Sequence, residues 1–92
     1  MEQLAVRWLI SGRVQGVGFR WFIARHGQTG GLAGWVRNLP DGRVEVVARG
    51  GREALDTLEA RLEAGPPSAS VEHVEKQDIP HETVTHNTFQ IR

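Results

Sequence analysis

Cysteine is absent from all 92 residues, which excludes disulfide staples, zinc ribbons, thiolate nucleophiles and iron–sulfur ligation together. A net charge is absent too. Eleven basic side chains stand against eleven acidic ones, which argues against a broad nucleic-acid binder, a class that is normally strongly basic. No apolar stretch approaches the ~20 residues that a membrane span needs. The start, Met1-Glu2-Gln3, lacks the basic region of a secretion signal. The expectation is a soluble cytoplasmic protein with neither a membrane nor a nucleic-acid partner. Low-complexity segments and internal repeats are missing as well, and 39% of the residues are hydrophobic. Typical domains run to about 100–150 residues, so one domain over residues 1–92 is expected, with one two-layer core. Without a long apolar patch, that domain is expected to be a monomer.

The zero total conceals two opposed halves. Residues 1–52 hold eight arginines and three acids, whereas residues 53–92 hold three basic residues and eight acids. Ten of the eleven basic residues are arginine, whose fixed fork of donors suits carboxylate or phosphate. An anionic ligand near the first half is one reading, and solvated surface arginines are the other.

Leu4 to Ser11 reads as a strand carrying Leu4, Val6, Trp8 and Ile10 on one face, with Ala5 and Leu9 on the other. A helix is expected from Phe19 or Arg20 to Thr29, with Phe19, Phe22, Ile23 and His26 inward and Gly30-Gly31 as its stop. Gly27 weakens that helix by about 1 kcal/mol relative to alanine. Ala33 to Asn38 and Arg43 to Arg49 are strands joined by the hairpin turn Leu39-Pro40-Asp41-Gly42. Glu53 to Ala64 is the clearest helix, with Leu55, Leu58 and Leu62 as its buried stripe and Gly65-Pro66-Pro67 as its end. Val71 to Ile79 reads as an edge strand, and Thr88 to Arg92 as a short last one. The order βαββαβ plus a C-terminal strand implies a ferredoxin-like α+β sandwich, two helices on one face of a mainly antiparallel sheet. That fold by itself carries no function.

The chemical signal lies in Gly12-Arg13-Val14-Gln15-Gly16-Val17-Gly18-Phe19-Arg20. Glycines at 12, 16 and 18 allow backbone N–H groups to turn inward around a small anion. The loop runs into a helix N-terminus, whose unpaired N–H groups favour phosphate. Arg20 there is a cation at the positive end of the helix dipole, a conflict that a bound oxyanion would remove. A tight strand-to-helix turn with Arg20 in solvent accounts for the same glycines. Phosphocysteine-forming phosphatases place five loop residues between a cysteine and an arginine. Here Gln15 to Phe19 precede Arg20, but Val14 stands where the cysteine would be. Any hydrolysis must therefore use water directly. Asn38, at the end of its strand, could accept from such a water and donate to a phosphoryl oxygen; capping of the hairpin is its other reading.

Gly12-x-Val14-x-Gly16-Val17-x-Phe19-Arg20, followed by Gly34-Trp35-Val36-Arg37-Asn38-x-x-x-Gly42-x-Val44 and Gly50, resembles both signatures of the acylphosphatases. The resemblance spans nearly the whole chain, including Phe89-x-Ile91. It implies hydrolysis of an acyl phosphate to a carboxylate and inorganic phosphate. It places the phosphate-binding arginine on Arg20 and the water-orienting asparagine on Asn38. The cradle falls on Gln15, Gly16, Val17, Gly18 and Phe19.

The chemistry is consistent with that assignment. A carboxylate leaves readily, so no strong general acid is required, and phosphoryl transfer is mostly positioning and charge stabilisation. No metal or other cofactor is expected, because His26, His73, His81 and His86 are too scattered to form a ligand set. The three tryptophans are expected mostly in the core, with Trp21 or Trp35 as a wall of the pocket the other reading. Arg13, Arg37 and Arg43 are candidates for steering anions to the site, and solvated strand or turn positions account for them equally well. A similar module occurs inside larger hydrogenase-maturation proteins, whose cysteine zinc sites this chain lacks. An RNA-binding sheet would want aromatics on the central strands, and Arg43 to Arg49 has none. Anion binding without turnover is a third alternative.

Overall fold

A computed structural model describes residues 2–92. Along the chain run β1 (Leu4–Arg13), α1 (Phe19–Thr29), β2 (Ala33–Asn38), β3 (Val44–Gly50), α2 (Arg52–Ala64), β4 (Ser70–Ile79), a 3-10 turn at His81–Thr83, and β5 (Phe89–Ile91). The strands form one sheet in the order β4-β1-β3-β2-β5. All neighbours are antiparallel except β2 and β5, which are parallel. This is the ferredoxin-like α+β sandwich that the element order implied. Observed boundaries lie within a residue or two of the expected ones.

Strand periodicity decides the layers. Val6, Trp8 and Ile10 of β1 pair with Ala48, Val46 and Val44 of β3, which pair in turn with Gly34, Val36 and Asn38 of β2. These residues share one face, because alternate side chains point the same way. That face meets Phe19 and Ile23 of α1 and Leu55, Leu58 and Leu62 of α2, forming the main core. Burying each such aliphatic side chain contributes about 1.5–3 kcal/mol. The Trp8 indole N–H, at the bottom of this core, donates to Glu59 Oε1 at 2.8 Å.

Two glycines have reasons that only the packing shows. Gly12 was expected to belong to an anion loop. It lies within β1, at a bulge in the pairing with β4, where an added Cβ would run into the Ser70 carbonyl oxygen. Gly27 was expected merely to weaken α1. It is buried, and a Cβ there would stand 2.6 Å from Phe89 Cδ2. The missing side chain lets β5 pack directly on the helix.

The opposite face of the sheet is partly covered. Glu45, only 3% exposed, receives Arg7 Nε at 2.7 Å, Arg37 Nε at 2.7 Å and Trp35 Nε1 at 3.0 Å. Ala33, Val47 and Val84 form a small apolar cluster beside it. Among the described residues, no helix is long and apolar enough to cross a membrane.

Candidate active site

Two sequence segments meet at one end of the sheet because β1 and β2 flank β3 and run in the same direction. Val44 pairs with Ile10 on one side and with Asn38 on the other. Neighbouring strands lie about 4.8 Å apart, so Asn38 is only two strand spacings from the point where β1 leads into its loop. Asn38 ends the core-facing row of β2, which directs its side chain toward the helix layer, where α1 begins.

Between β1 and α1 the chain turns through Gly16, φ 73°, and Gly18, φ 77°. Positive φ at two places costs L-residues roughly 1–2 kcal/mol each, and glycine much less. Gly18 is the residue preceding α1, and the first helical backbone bond runs from Phe22 N–H to Gly18 O at 3.0 Å. The N–H groups of Phe19, Arg20 and Trp21 therefore have no partner within the helix. The N–H groups of Gln15, Gly16, Val17 and Gly18 donate to no acceptor among the described residues. No acidic residue occupies the first turn of α1 to offset the dipole.

A pocket of ≈ 180 Å³ opens at this point, walled by Gly16, Gly18, Phe19, Arg20 and Asn38 together with Val14, Trp21 and Ile91. At about 30 Å³ per water in the liquid, it has room for a small oxyanion and an attacking water. Arg20 Nη1 donates to the Arg92 carbonyl oxygen at 3.3 Å, which leaves most of the five guanidinium donors uncommitted. Asn38 Oδ1 is buried and has no hydrogen-bond partner among the described residues. A buried acceptor left single is uncommon and points to a donor supplied by a ligand or water.

The expected site residues separate into two groups. Gly16, Gly18, Phe19, Arg20 and Asn38 come together around the pocket. The side chains of Gln15 and Val17 do not. Gln15 turns away, its Nε2 donating to the carbonyl oxygens of Leu39 at 2.8 Å and Arg43 at 3.0 Å. Val17 packs at the margin of the core, and its carbonyl accepts from Ser68 Oγ at 3.2 Å. Both can contribute to an anion site only through the backbone.

Trp21 follows the pocket-wall reading and not the core one. It is not a core residue but 67% exposed, at the pocket rim. At 100° per residue, Trp21 stands about 200° around the helix from both Phe19 and Ile23, so the buried stripe itself excludes it. Trp8 is fully buried as expected, and Trp35 is half-buried. Arg37 is also removed from the site: one residue before Asn38, it points to the other face of the sheet and binds Glu45. Arg43 is engaged by Asp41 at 2.8 Å. The backbone N–H of Arg43, and then its guanidinium, hold the Asp41 carboxyl below its ordinary value.

A larger cleft of ≈ 450 Å³ lies elsewhere, between β1, the end of β4 and the start of α2. Asp56, Lys76, Asp78 and Glu82 line it, a mixture of charge with no loop of free N–H groups. Among the described residues, no group of three His, Asp or Glu side chains could hold a metal ion.

These features define a small α+β protein with an oxyanion-sized pocket at a helix N-terminus. Comparison with known proteins specifies it further. The family model described as acylphosphatase matches residues 6–91. An acylphosphatase of Koribacter versatilis is 53% identical over 77 residues, covering 84% of this chain and 70% of that one. One from Alkalilimnicola ehrlichii is 56% identical over 69 residues, covering 75% and 78%. The crystal structure of the acylphosphatase from Bacillus subtilis superposes with a TM-score of 0.91 at 37% identity, over 97% of this chain and 98% of that one. The chain belongs to the acylphosphatase family, hydrolases that act on acyl phosphates.

Proposed function

We propose that the pocket at Arg20 and Asn38 is where this acylphosphatase hydrolyses its substrate, without a metal or other cofactor. The N–H groups of Gln15, Gly16, Val17, Gly18 and Phe19, with the Arg20 guanidinium, bind the phosphoryl oxygens. Asn38 Oδ1 accepts a hydrogen bond from the attacking water. The water oxygen adds to phosphorus as the bond to the acyl oxygen breaks, and the carboxylate leaves with the electron pair. A phosphoryl oxygen takes the water's proton. The observation that carries this reading is the unpaired, buried Asn38 Oδ1 in the same pocket wall as Arg20 and the two positive-φ glycines. A fixed set of donors aimed at developing charge is the largest source of stabilisation in such sites.

The same reading has residues 1–92 working as a single cytoplasmic domain and a monomer, with an acyl phosphate and inorganic phosphate as its only partners. The balance of eleven basic and eleven acidic side chains supports the absence of a nucleic-acid or anionic membrane surface among them.

Hydrolysis of acetyl phosphate in the presence of a chelator tests the site. Arg20→Gln and Asn38→Ala each reduce turnover by about 10²–10³-fold, the usual effect of removing one such group. Inhibition by inorganic phosphate is lost in Arg20→Gln and largely kept in Asn38→Ala. Wild-type turnover in a folded Arg20→Gln variant would overturn the assignment.

A further inference from the structure

Asn38 is the last residue of β2, where the ladder to β3 ends. One step earlier, Arg37 stands opposite Glu45 in the register, and Leu9 of β1 stands opposite Glu45 on its other side. That row adjoins the row of Ile10, Val44 and Asn38 and faces the other way. Within it, the buried Glu45 carboxylate serves both neighbouring strands, one oxygen to each. Oε2 accepts from Arg7 Nε of β1 at 2.7 Å. Oε1 accepts from Arg37 Nε at 2.7 Å and Trp35 Nε1 at 3.0 Å, both of β2. β1 leads into the loop before α1, and β2 carries Asn38. One carboxylate therefore joins the two strands that deliver the two halves of the pocket.

Stability alone does not call for a charge at this place. Burying a carboxylate sacrifices hydration that its partners barely repay, and well-packed apolar side chains commonly hold such a row as firmly. What the carboxylate adds is geometry, because its oxygens accept charged donors only within a narrow range of distance and direction. We infer that Glu45 is a positioning residue for the hydrolysis: through Arg37 it fixes the end of β2, and with it the Asn38 amide, against the loop after β1. This rests on the role proposed for Asn38 above. Glu45 itself lies across the sheet from the pocket and forms none of its walls.

The test measures kcat, KM and phosphate inhibition with acetyl phosphate in Glu45→Gln and Arg37→Gln, each alone and combined with Asn38→Ala. In both single variants kcat falls about tenfold, less than the 10²-fold that a 1 Å misplacement can cost. KM and inhibition by phosphate, which report the loop and Arg20, stay near wild type. In the Asn38→Ala background neither substitution lowers kcat further, because the group they place is gone. A general loosening of the fold would instead lower kcat by the same factor in both backgrounds. Circular dichroism reports folding; if Glu45→Gln does not fold, Arg37→Gln decides the outcome, since that side chain is half exposed. Wild-type kcat in a folded Arg37→Gln, or an equal loss in both backgrounds, overturns the inference while an impaired Asn38→Ala leaves the proposed site standing. Wild-type kcat in Asn38→Ala itself overturns the underlying reading and this inference with it.

Discussion

Gln15 ties the loop after β1 to the β2–β3 turn: its Nε2 donates to the Leu39 carbonyl oxygen at 2.8 Å and to the Arg43 carbonyl oxygen at 3.0 Å. Leu39 directly follows Asn38, and its own N–H closes the turn onto Arg43 O at 2.8 Å. One amide thus ties the loop proposed to cradle phosphate to the turn that follows Asn38, the proposed water-orienting residue.

Replacing Gln15 by Leu retains comparable bulk and removes both donors. Stability is expected to fall by about 1–2 kcal/mol, two hydrogen bonds at the usual net value. Misplacement of a reacting group by about 1 Å can cost 10²-fold in rate, so kcat is expected to fall tenfold or more. Inhibition by phosphate changes less, because the cradle N–H groups remain. Urea unfolding and steady-state kinetics on one preparation check this; a stability loss with unchanged kcat would leave Gln15 purely structural.

Gly27 sets helix propensity against packing. Mid-helix Gly→Ala normally stabilises by about 1 kcal/mol. Here the new Cβ would stand 2.6 Å from Phe89 Cδ2 and 2.7 Å from Cγ, the fixed part of the ring, and overpacking typically costs about 1–3 kcal/mol. Gly27→Ala is therefore expected to be neutral to destabilising by up to ~2 kcal/mol. The same substitution in a Phe89→Leu background is expected to cost less. A clear rise in the urea midpoint of the single variant would refute the packing account.

Glu45 makes stability depend on pH. Burial alone would raise its carboxyl, but hydrogen bonds from Trp35, Arg37 and Arg7 outweigh burial and hold it below the ordinary glutamate value. The unfolded chain then binds that proton more readily than the folded one, so this contribution is present at neutral pH. It is lost as pH falls from the ordinary value near 4.3 through the lower folded value. Glu45→Gln is expected to cost about 1–3 kcal/mol at pH 7, as for hydrogen bonds to a charged group. Its deficit relative to wild type shrinks as pH is lowered through that window. Denaturation curves between neutral and acid pH measure the difference directly; a deficit that stays constant would assign it to shape rather than charge.

Much of the fold was readable because it is written in local patterns. The alternation Val6, Trp8, Ile10, the stripe Leu55, Leu58, Leu62 and the turn Leu39-Pro40-Asp41-Gly42 each depend on neighbours in sequence, and all three elements formed where expected. The candidate site was legible for a different reason. Its glycines and Arg20 form one continuous segment at a helix start, and β2 could be placed near it from the element order alone.

Gly12 and Gly27 were misread because their cause is a backbone or ring brought in from a distant strand, Ser70 in one case and Phe89 in the other. Trp21 was left between core and pocket wall, although its angular position on α1 already directed it outward. Arg37 was one candidate for steering anions, yet strand alternation puts it on the face opposite Asn38, where it binds Glu45.

The sequence by itself determined the order of elements, the absence of any thiol nucleophile and which residues are proposed to cradle and polarise a phosphoryl group. These follow from composition, spacing and backbone preference, which act over a few residues. The tertiary structure alone decided that the Gln15 side chain serves the turn and not the pocket, that Glu45 gathers three donors, and that Trp21 and Ile91 line one pocket. Each involves elements remote in the chain, and only the register of the sheet and the seat of α1 upon it bring such partners together.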